Sequence, residues 1–442
     1  MSAPAGARRI AVIGAGVSGL AAAHRLAELA TAGGGRGEGA PALELVVYEA
    51  ATRPGGIVAT AREHDLVLED GPDSFVTDKP EARALCERLG LTPRLVGTRP
   101  QFRRSAVVRG GRLVPTPPGF QLLAPARLGP LLASPLLSLA GRARVALEPW
   151  VPARTREAGA IVDESLASFV TRRLGRELLE RVAEPMVGGI YGADPARLSM
   201  LATFPRFLRL EAEHGSVIRG LAAAAAGHEA SGPRYGLFAS LAGGMQELTD
   251  ALAARLPARA LQLGTAVTRL VPSPAGWIVE TARGMATFEA VIVTLPAPGA
   301  GDLVAAFDPA LADRLSAFPR GSSATVTFAF EASDVGHPRD LAGFVVPRRE
   351  GLLLLGVSFT DRKFEGRAAA GTAILRAFLD ARALALDDDA LAVRAHGELA
   401  RLLALRPGAL PRARRVVRWP GAMPHYEVGH LDRVREAAEA AA

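Results

Sequence analysis

A glycine-rich turn between an apolar strand and a helix constrains this fold more than any other feature. Arg9–Leu20 reads RIAVIGAGVSGL, so an apolar run is followed by Gly14, Gly16 and Gly19 in the spacing G-x-G-x-x-G. The next residues, Leu20–Leu29, are strong helix formers. Such a strand–turn–helix begins a dinucleotide-binding unit, in which the helix N-terminus favours a pyrophosphate. Alone, the pattern also fits an ordinary strand–loop–helix.

A second strand supports the nucleotide interpretation. Leu43–Tyr48 (LELVVY) predicts a buried strand, and Glu49 directly follows it. A carboxylate at this position accepts two hydrogen bonds from a ribose diol. The glycine-rich stretch Thr31–Ala42, predicted to be a flexible loop, explains why Glu49 lies further from the glycines than the usual spacing of about 20 residues. The alternative for Glu49 is a solvated strand end.

Two loops follow that a phosphate-binding unit would use. Ala50–Ile57 (AATRPGGI) contains an arginine and two glycines, and Leu68–Phe75 (LEDGPDSF) contains a tight Gly-Pro turn. Together with the opening motif, these segments resemble the FAD-binding start of the flavin amine oxidase superfamily. The resemblance implies FAD rather than free NAD as the cofactor.

A distant stretch narrows the resemblance. Residues 184–195 read EPMVGGIYGADP, and 214–220 read HGSVIRG. Residues 238–248 (FASLAGGMQEL) and 418–430 (RWPGAMPHYEVGH) add two further segments. The series resembles the oxygen-dependent, FAD-containing protoporphyrinogen oxidases, from residue 9 to about residue 434. That resemblance implies the oxidation of protoporphyrinogen IX to protoporphyrin IX in three two-electron steps, with dioxygen as acceptor and hydrogen peroxide as product.

Three alternatives stay open. Coproporphyrinogen III is a second substrate of the same family, a homologue could bind FAD or porphyrin without turnover, and another flavin amine oxidase such as a carotenoid desaturase remains a third possibility. In the family, a further glycine-rich element follows the V-G-H motif, whereas this sequence continues only to Ala442. We therefore expect a C-terminally shortened FAD-binding domain with weaker cofactor contacts.

The resemblance assigns site residues by position. Because the cofactor carries the redox chemistry, we expect no catalytic acid or base and no metal ligand. The residues expected to bind FAD are Gly14, Gly16, Val17, Ser18, Gly19, Glu49, Ala50, Arg53, Gly55, Gly56, Gly71, Pro72, Asp73, Ser74, Val267 and Trp419. The residues expected to bind substrate are Arg104 or its neighbour Ser105 at a propionate, Phe378 and Ser358 on either side of a pyrrole ring, and Gly189 and Val345.

The predicted fold is mixed α/β, with a Rossmann-like FAD-binding domain into which a substrate domain and a mostly helical apolar domain are inserted. The FAD-binding domain comprises 1–79, 235–298 and 416–442; the substrate domain 80–100, 206–234 and 299–415; the apolar domain 101–205. Predicted strands include a hairpin over Arg103–Pro117 and the segments Leu261–Val271, Trp277–Thr281, Ala290–Pro298, Ser323–Phe330, Gly343–Pro347 and Leu352–Phe359. Predicted helices are Pro80–Leu91, a pair over Ile161–Leu179 broken at Gly175, Thr372–Leu384 and Asp388–Leu403.

Composition limits the partners. The net charge is +7, and nearly all of the basic residues are arginine. This favours a bias in codon composition over attraction to an acidic ligand. The sequence contains no nucleic-acid-binding motif. Cys86 is the only cysteine, which fits a reducing, cytoplasmic location. We expect no signal peptide and no membrane-spanning helix.

The leucine-rich stretch Pro118–Trp150 has arginines at its margins. One interpretation is an apolar surface, used either for peripheral membrane association or as a tunnel. The other interpretation is a helical core subdomain. The remaining expected partners are a porphyrinogen, dioxygen and, as an open possibility, a second copy of the chain.

Overall fold

The computed structural model describes residues 8–33, 43–154, 161–227 and 238–441. Within them, helices and strands are mixed along the chain, as predicted. The strands are β1 (Arg8–Ile13), β2 (Leu43–Tyr48), β3 (Thr60–Glu63), β4 (Leu66–Glu69), β5 (Phe75–Val76), β6 (Leu95–Gly97), β7 (Ser105–Arg109), β8 (Arg112–Pro115), β9 (Phe120–Gln121), β10 (Ala124–Pro125), β11 (Phe238–Leu241), β12 (Leu261–Gln262), β13 (Val267–Ser273), β14 (Gly276–Thr281), β15 (Gly284–Phe288), β16 (Ala290–Val293), β17 (Arg320–Glu331), β18 (Gly343–Val345), β19 (Leu354–Phe359), β20 (Thr372–Leu379) and β21 (Ala413–Pro424).

The helices are α1 (Val17–Gly33), α2 (Pro80–Arg88), α3 (Leu128–Ala133), α4 (Leu139–Ala146), α5 (Leu166–Leu174), α6 (Arg176–Leu178), α7 (Glu184–Tyr191), α8 (Met200–Thr203), α9 (Pro205–His214), α10 (Val217–Gly227), α11 (Gln246–Ala254), α12 (Ala297–Val304), α13 (Pro309–Ser316), α14 (Thr360–Lys363), α15 (Asp388–Leu403) and α16 (His430–Ala440). Most of the predicted loop Thr31–Ala42 lies outside the described residues.

The chain divides into two compact units. Unit 1 comprises Met1–Leu95, Ser240–Phe318 and Arg433–Ala442, and unit 2 comprises Val96–Ala239 and Pro319–Asp432. In unit 1, a parallel sheet has the strand order β12-β2-β1-β16. The central strand β1 is buried from Ala11 to Ile13, which explains its continuous apolar run. Strands β13, β14 and β15 form a separate antiparallel sheet.

Unit 2 is built on a seven-stranded sheet with the order β21-β17-β20-β19-β18-β7-β8. Because side chains alternate along each strand, the register separates its two faces. One face carries apolar residues such as Val326, Phe344, Val357 and Ala377, which form a core cluster that includes residues of α15. We call this the apolar face.

The opposite face, which we call the polar face, is defined by two rows of paired residues. They are Ser105–Gly343–Ser358–Arg376–Thr327 and Val107–Val345–Gly356–Phe378–Thr325. Helices α3 to α10 (Leu128–Gly227) share a core cluster, and we call this part of unit 2 the helical region. At one end of the polar face, Val107 and Val345 belong to or pack against that cluster. The helical region therefore covers part of the polar face.

One predicted helix is wrong. Thr372–Leu384 forms strand β20 and a short 3₁₀ turn instead. Its alanines and leucines are good helix formers, but β20 lies between β17 and β19 and is buried on both faces. Pairing with two neighbours and burial on both sides outweigh the weak local preference.

The leucine-rich stretch Pro118–Trp150 forms short helices that pack within the helical region. Leu131, Leu136, Leu137 and Val145 are almost fully buried in its core cluster. This favours the interpretation as a helical core subdomain. No helix in the described ranges is long and apolar enough to cross a membrane.

Candidate functional site

The three glycines of the opening turn serve different purposes. Gly14 has φ +101°, a conformation that favours glycine. A Cβ on Gly19 would lie 1.9 Å from the carbonyl oxygen of Gly14, so only glycine permits this contact between turn and helix. A Cβ on Gly16, in contrast, would meet nothing within 4 Å. Gly14 and Gly19 therefore build the turn, while Gly16 leaves open space at its surface.

That space adjoins the N-terminus of α1. Val17 begins the helix, and Ser18 is exposed in its first turn. The first N–H groups of a helix have no acceptor within the helix, and the aligned peptide dipoles place partial positive charge there. The arrangement fits the diphosphate of a dinucleotide.

Glu49 joins the glycine turn to the next loop. Its Oε2 accepts a hydrogen bond from the N–H of Ala15 at 2.7 Å, and its Oε1 accepts one from the N–H of Ala51 at 2.8 Å. Each carboxylate oxygen has a second lone pair. The side chain thus fixes two loops and keeps acceptor capacity for a ribose diol.

The loop after Glu49 packs directly on the glycine turn. The N–H of Gly55 donates to the carbonyl of Ala15 at 2.7 Å, and a Cβ on Gly56 would lie 3.2 Å from the Cα of Gly16. The Arg53 guanidinium donates to three carbonyls of its own loop, those of Pro54, Gly56 and Val58. Arg53 therefore braces the loop, a role that the sequence did not indicate.

The remaining residues predicted for unit 1 lie close to this loop or at a strand end. A Cβ on Gly71 would lie 1.7 Å from the carbonyl oxygen of Ile57, so the turn Gly71–Ser74 packs against the preceding loop. The hydroxyl of Ser74 donates to the carboxylate of Asp73 at 2.6 Å. Ala50 and Pro72 are exposed, and Val267 begins β13 half-buried. These residues form a glycine-rich cradle with the chemistry that a flavin dinucleotide requires.

The polar face of unit 2 brings most of the predicted substrate residues together. Ser105 and Ser358 pair with the same residue, Gly343, and Val345 and Phe378 pair with the same residue, Gly356. A Cβ on Gly343 would lie 2.2 Å from the carbonyl oxygen of Val357, and one on Gly356 would lie 3.0 Å from that of Phe344, so the backbone approaches closely at both glycines. Trp419, predicted as a cofactor contact, pairs with Ser323 on this face.

Two predicted substrate residues are placed differently. Arg104 precedes β7, and its exposed guanidinium donates to the carboxylate of Asp340 at 2.6 Å. The structure does not bring Arg104 into the two rows of the polar face. Gly189 lies in helix α7, one residue after Gly188.

A cavity of about 120 Å³ lies between α7 and one end of the sheet. Helix α7 contributes Glu184, Pro185 and Gly188, and the sheet contributes Ser323 and Leu355. Charged side chains also line it, namely Glu184, Arg348 and Asp380. The cavity is thus formed by the EPMVGG segment and by neighbours of the predicted substrate residues.

Three charged residues of the cavity and the polar face had no role assigned from the sequence, namely Glu184, Arg348 and Arg376. The Nε of Arg348 lies 3.3 Å from Oε1 of Glu184. Burial, with smaller contributions from Asp194 and Glu180, raises the pKa of Glu184, although Arg348 opposes this. Arg376, buried on the polar face, places its guanidinium 5.0 Å from the ring centre of Phe378. Glu184 was visible in the motif but had no assigned role, and Arg376 was hidden by the incorrect helix.

Comparisons with known proteins agree with this geometry. The family model described as flavin containing amine oxidoreductase matches residues 17–440. The chain is 31% identical to coproporphyrinogen III oxidase of Bacillus subtilis (strain 168), over 99% of this chain and 91% of that protein. It is also 31% identical to the chloroplastic protoporphyrinogen oxidase of Oryza sativa subsp. japonica, over 97% of this chain and 81% of that protein.

A crystal structure from Exiguobacterium sp. 255-15, whose name proposes a protoporphyrinogen oxidase, superposes with a TM-score of 0.84. It is 27% identical and covers 98% of this chain and 90% of its own. The predicted superfamily, the oxidoreductase class and the flavin cofactor are therefore confirmed. No group of histidine, cysteine or acidic residues suited to a metal occurs among the described residues. The chain belongs to the flavin containing amine oxidoreductase family.

Proposed function

We propose that this chain oxidises protoporphyrinogen IX to protoporphyrin IX with FAD as cofactor and dioxygen as acceptor, in porphyrin and heme biosynthesis. The observation that carries the proposal is the similarity to porphyrinogen oxidases over 97% or more of the chain. The glycine-rich cradle supports the cofactor assignment. The polar face carries the aromatic ring of Phe378, which supports a substrate built of pyrrole rings.

The protein's task in this reaction is to hold and orient. Bound FAD supplies an acceptor for a hydride from the activated methylene bridge of the porphyrinogen. Gly16 and the N-terminus of α1 hold the diphosphate, and Glu49 holds the ribose. On the polar face, Phe378 stacks on a pyrrole ring, while Ser105, Ser358 and Val345 shape the space around it.

Coproporphyrinogen III is the second candidate substrate. A coproporphyrinogen III oxidase and a protoporphyrinogen oxidase are each 31% identical to this chain, which gives the two names equal support. The two substrates differ in their number of propionates, and each propionate pairs best with an arginine. The number of basic side chains that reach the substrate therefore determines which of the two binds better. Arg104 is a candidate for a propionate contact only if it leaves Asp340.

The proposal also covers the domains of the chain, its location in the cell and its association with a membrane or a second copy. We propose that the predicted FAD-binding, substrate and apolar domains correspond to functional divisions of the chain. A cytoplasmic location fits the single buried thiol, Cys86. Exposed Leu139, Leu147 and Trp150 in the helical region provide an apolar surface for peripheral attachment to the inner face of the membrane or for a homodimer.

The direct test is turnover. The purified chain, supplied with FAD, is given protoporphyrinogen IX or coproporphyrinogen III in air, and porphyrin fluorescence and hydrogen peroxide are followed. We expect fluorescence and peroxide to rise together with protoporphyrinogen IX. A flavin-loaded chain that oxidises neither substrate would contradict the proposed function, and preference for coproporphyrinogen III would establish the second candidate.

Gly16→Ala tests the cofactor cradle separately. The added methyl meets no protein atom within 4 Å, so the variant should fold normally, but it occupies the space assigned to the diphosphate. We expect at least a tenfold loss of FAD affinity, which corresponds to about 1.4 kcal/mol. Gly129→Ala is the matched control, because its methyl also points into open space, far along the chain in α3. Equal FAD affinity in both variants would show that the diphosphate binds elsewhere.

A further inference from the structure

Glu184 occupies an unusual position in its helix. It directly follows a π-helical turn, Leu179–Ala183, and precedes Pro185. Proline cannot donate the backbone hydrogen bond that would continue a regular helix, and single π-helical turns frequently occur at functional sites. The local irregularity presents the Glu184 side chain, which is 18% exposed, to the cavity below α7.

The charges around the cavity favour a hydrogen-bond donor over an anion. Its described lining contains two carboxylates, Glu184 and Asp380, and one guanidinium, Arg348. Arg348 is the ion-pair partner of Glu184 within the described residues, and it is itself 47% exposed. Asp380 accepts hydrogen bonds from the backbone and the side chain of Arg382, so its carboxylate is engaged. The less satisfied carboxylate is that of Glu184.

Other charged groups near Glu184 change the pKa of its carboxyl in opposite directions. Glu180, on the preceding turn, pairs with Arg176 and Arg349, and Asp194 follows α7. Burial and these two neighbouring negative charges raise the pKa of Glu184, while Arg348 lowers it. A general base works best when its pKa approaches the working pH.

A porphyrinogen offers the donor that this cavity suits. Its propionates would be repelled by a cavity with more carboxylates than cations, whereas its pyrrole N–H groups are donors that a carboxylate accepts. Ser322 and Ser323 also line the cavity, and the Oγ of Ser322 accepts a hydrogen bond from the N–H of Gly421 at 2.7 Å. The cavity of about 120 Å³ is large enough for part of the substrate's edge or for ordered water.

We propose that Glu184 accepts the proton that a pyrrole nitrogen loses in each two-electron oxidation; this rests on the proposed porphyrinogen oxidase function. In each step a C–H bond of a methylene bridge breaks and its hydrogen leaves with both electrons to the FAD. A pyrrole N–H bond breaks, its electron pair joins the new conjugated double bond, and the proton binds a carboxylate oxygen of Glu184. After three steps one methylene bridge and one N–H remain, and a shift of one hydrogen from that bridge to a pyrrole nitrogen gives the porphyrin with its two N–H groups. The proton then passes to solvent on the exposed side of Arg348. This role replaces the expectation that no side chain acts as acid or base.

The test compares Glu184→Gln, Glu184→Asp and the control Glu180→Gln with the unmodified chain, each loaded with FAD. Anaerobic single-turnover mixing with protoporphyrinogen IX is followed over a range of pH. We expect Glu184→Gln to slow the oxidation by about 100-fold or more and to abolish the acid limb of its pH profile. Glu184→Asp should restore much of the rate together with a pH dependence.

Glu180→Gln should keep the rate of the unmodified chain. Because this change removes a negative charge that raises the pKa of Glu184, the acid limb should move to lower pH. Infrared titration of the chain without substrate gives a readout independent of activity. The Glu184→Gln difference spectrum should contain a protonated carboxyl that titrates at the same pH as the acid limb.

The outcomes separate this proposal from the proposed function. If the unmodified, FAD-loaded chain does not oxidise porphyrinogen, the proposed function fails, and this inference fails with it. If the unmodified chain is active and Glu184→Gln retains its rate, or is slower with an unchanged acid limb, only the role of Glu184 is overturned. A carboxyl titration that does not match the acid limb also overturns that role.

Discussion

Two arginine–glutamate pairs of unit 2 illustrate two uses of a buried carboxylate. Arg173 and Glu148 are both 0% exposed, whereas Arg348 and Glu184 are 47% and 18% exposed. Oε1 of Glu148 accepts from the Nε of Arg173 at 2.8 Å and from the N–H of Val217 at 2.9 Å. Within the described residues, Glu184 has an ion pair on one side and a cavity on the other.

The first pair explains one of the motifs that identified the family. Glu148 also accepts from the hydroxyl of Ser216 and the N–H of Ile218, so it caps the N-terminus of α10. Arg173 donates to the carbonyl of Gly215. The segment His214–Ile218 is therefore a structural junction. Complete hydrogen bonding marks a carboxylate that holds the fold, and an adjoining cavity marks one that can meet a ligand.

The largest loss of stability is expected for a change in the fully buried pair of Arg173 and Glu148. Glu148→Gln leaves the buried guanidinium of Arg173 with only the carboxylate of Glu211, at 3.5 Å, as a counter-charge, which costs up to about 3–5 kcal/mol. The apparent free energy of unfolding, measured by urea titration with circular dichroism, checks this. Glu213→Gln, at an exposed position of helix α9, is the control and should change the value by less than about 0.5 kcal/mol. Similar values for the two variants would remove the contrast between the pairs.

A second prediction concerns Glu211, which belongs to the same structural network. Burial alone would raise the pKa of Glu211, but hydrogen bonds and attraction from Arg172 outweigh this and lower it. A lowered folded pKa stabilises the fold above the ordinary carboxyl pKa, and this stabilisation is lost as the pH falls through the folded value. Glu211→Gln should therefore destabilise by about 1.5–3 kcal/mol at neutral pH.

The difference between Glu211→Gln and the unmodified chain should shrink in acid. Urea titrations at a series of pH values measure it. A difference that stays constant down to the pH at which the carboxyl is protonated would show that the side chain acts through packing and not through its charge.

The sequence predicted the features that depend on neighbouring residues. Leu43–Tyr48 has the predicted bounds, and the hairpin predicted over Arg103–Pro117 forms as β7 and β8, joined at Gly110 and Gly111. The predicted helix Asp388–Leu403 forms as α15, and Asp387 caps it by accepting from the N–H of Ala390. In each case the apolar pattern, the turn glycines or the capping side chain act within a few residues, so the local sequence is sufficient.

Features that depend on distant pairing were only partly predicted. The resemblance named Ser105 and Ser358, but their common pairing with Gly343 depends on the register of three strands. The incorrect helix at Thr372–Leu384 has the same origin, because its strand partners are far away in the sequence. Glu184 gained a role only when its cavity was visible, since a cavity is a property of packing between elements.

A third prediction concerns the stability of the chain when Glu184, of the pair Arg348–Glu184, is changed. Because the folded pKa of Glu184 is raised, its ionisation opposes folding increasingly as the pH rises above the ordinary carboxyl pKa, and the effect is complete above the folded value. The stability of Glu184→Gln relative to the unmodified chain should therefore improve from acid towards alkaline pH. Thermal unfolding of both proteins at matched pH values measures this trend. A relative stability that falls with rising pH would indicate a stabilising carboxylate like that of Glu211.

The smallest stability effect is expected for the exposed partner. Arg348→Gln removes a half-exposed ion pair, so unfolding should change by no more than about 1 kcal/mol. Because Arg348 lowers the pKa of Glu184, its removal should move the acid limb of porphyrinogen oxidation to higher pH. Arg349→Gln, at the neighbouring arginine that pairs with Glu180, is the control. An identical shift in both variants would show that general surface charge is responsible.

The central claim is that a porphyrinogen is oxidised by the flavin of this chain, and anaerobic reduction tests it most directly. The FAD-loaded protein is mixed without oxygen with protoporphyrinogen IX, with coproporphyrinogen III or with putrescine, and the flavin absorbance is recorded. We predict rapid loss of the oxidised flavin spectrum with a porphyrinogen, accompanied by porphyrin absorption, and no change with putrescine. Bleaching by putrescine with no response to either porphyrinogen would contradict the account.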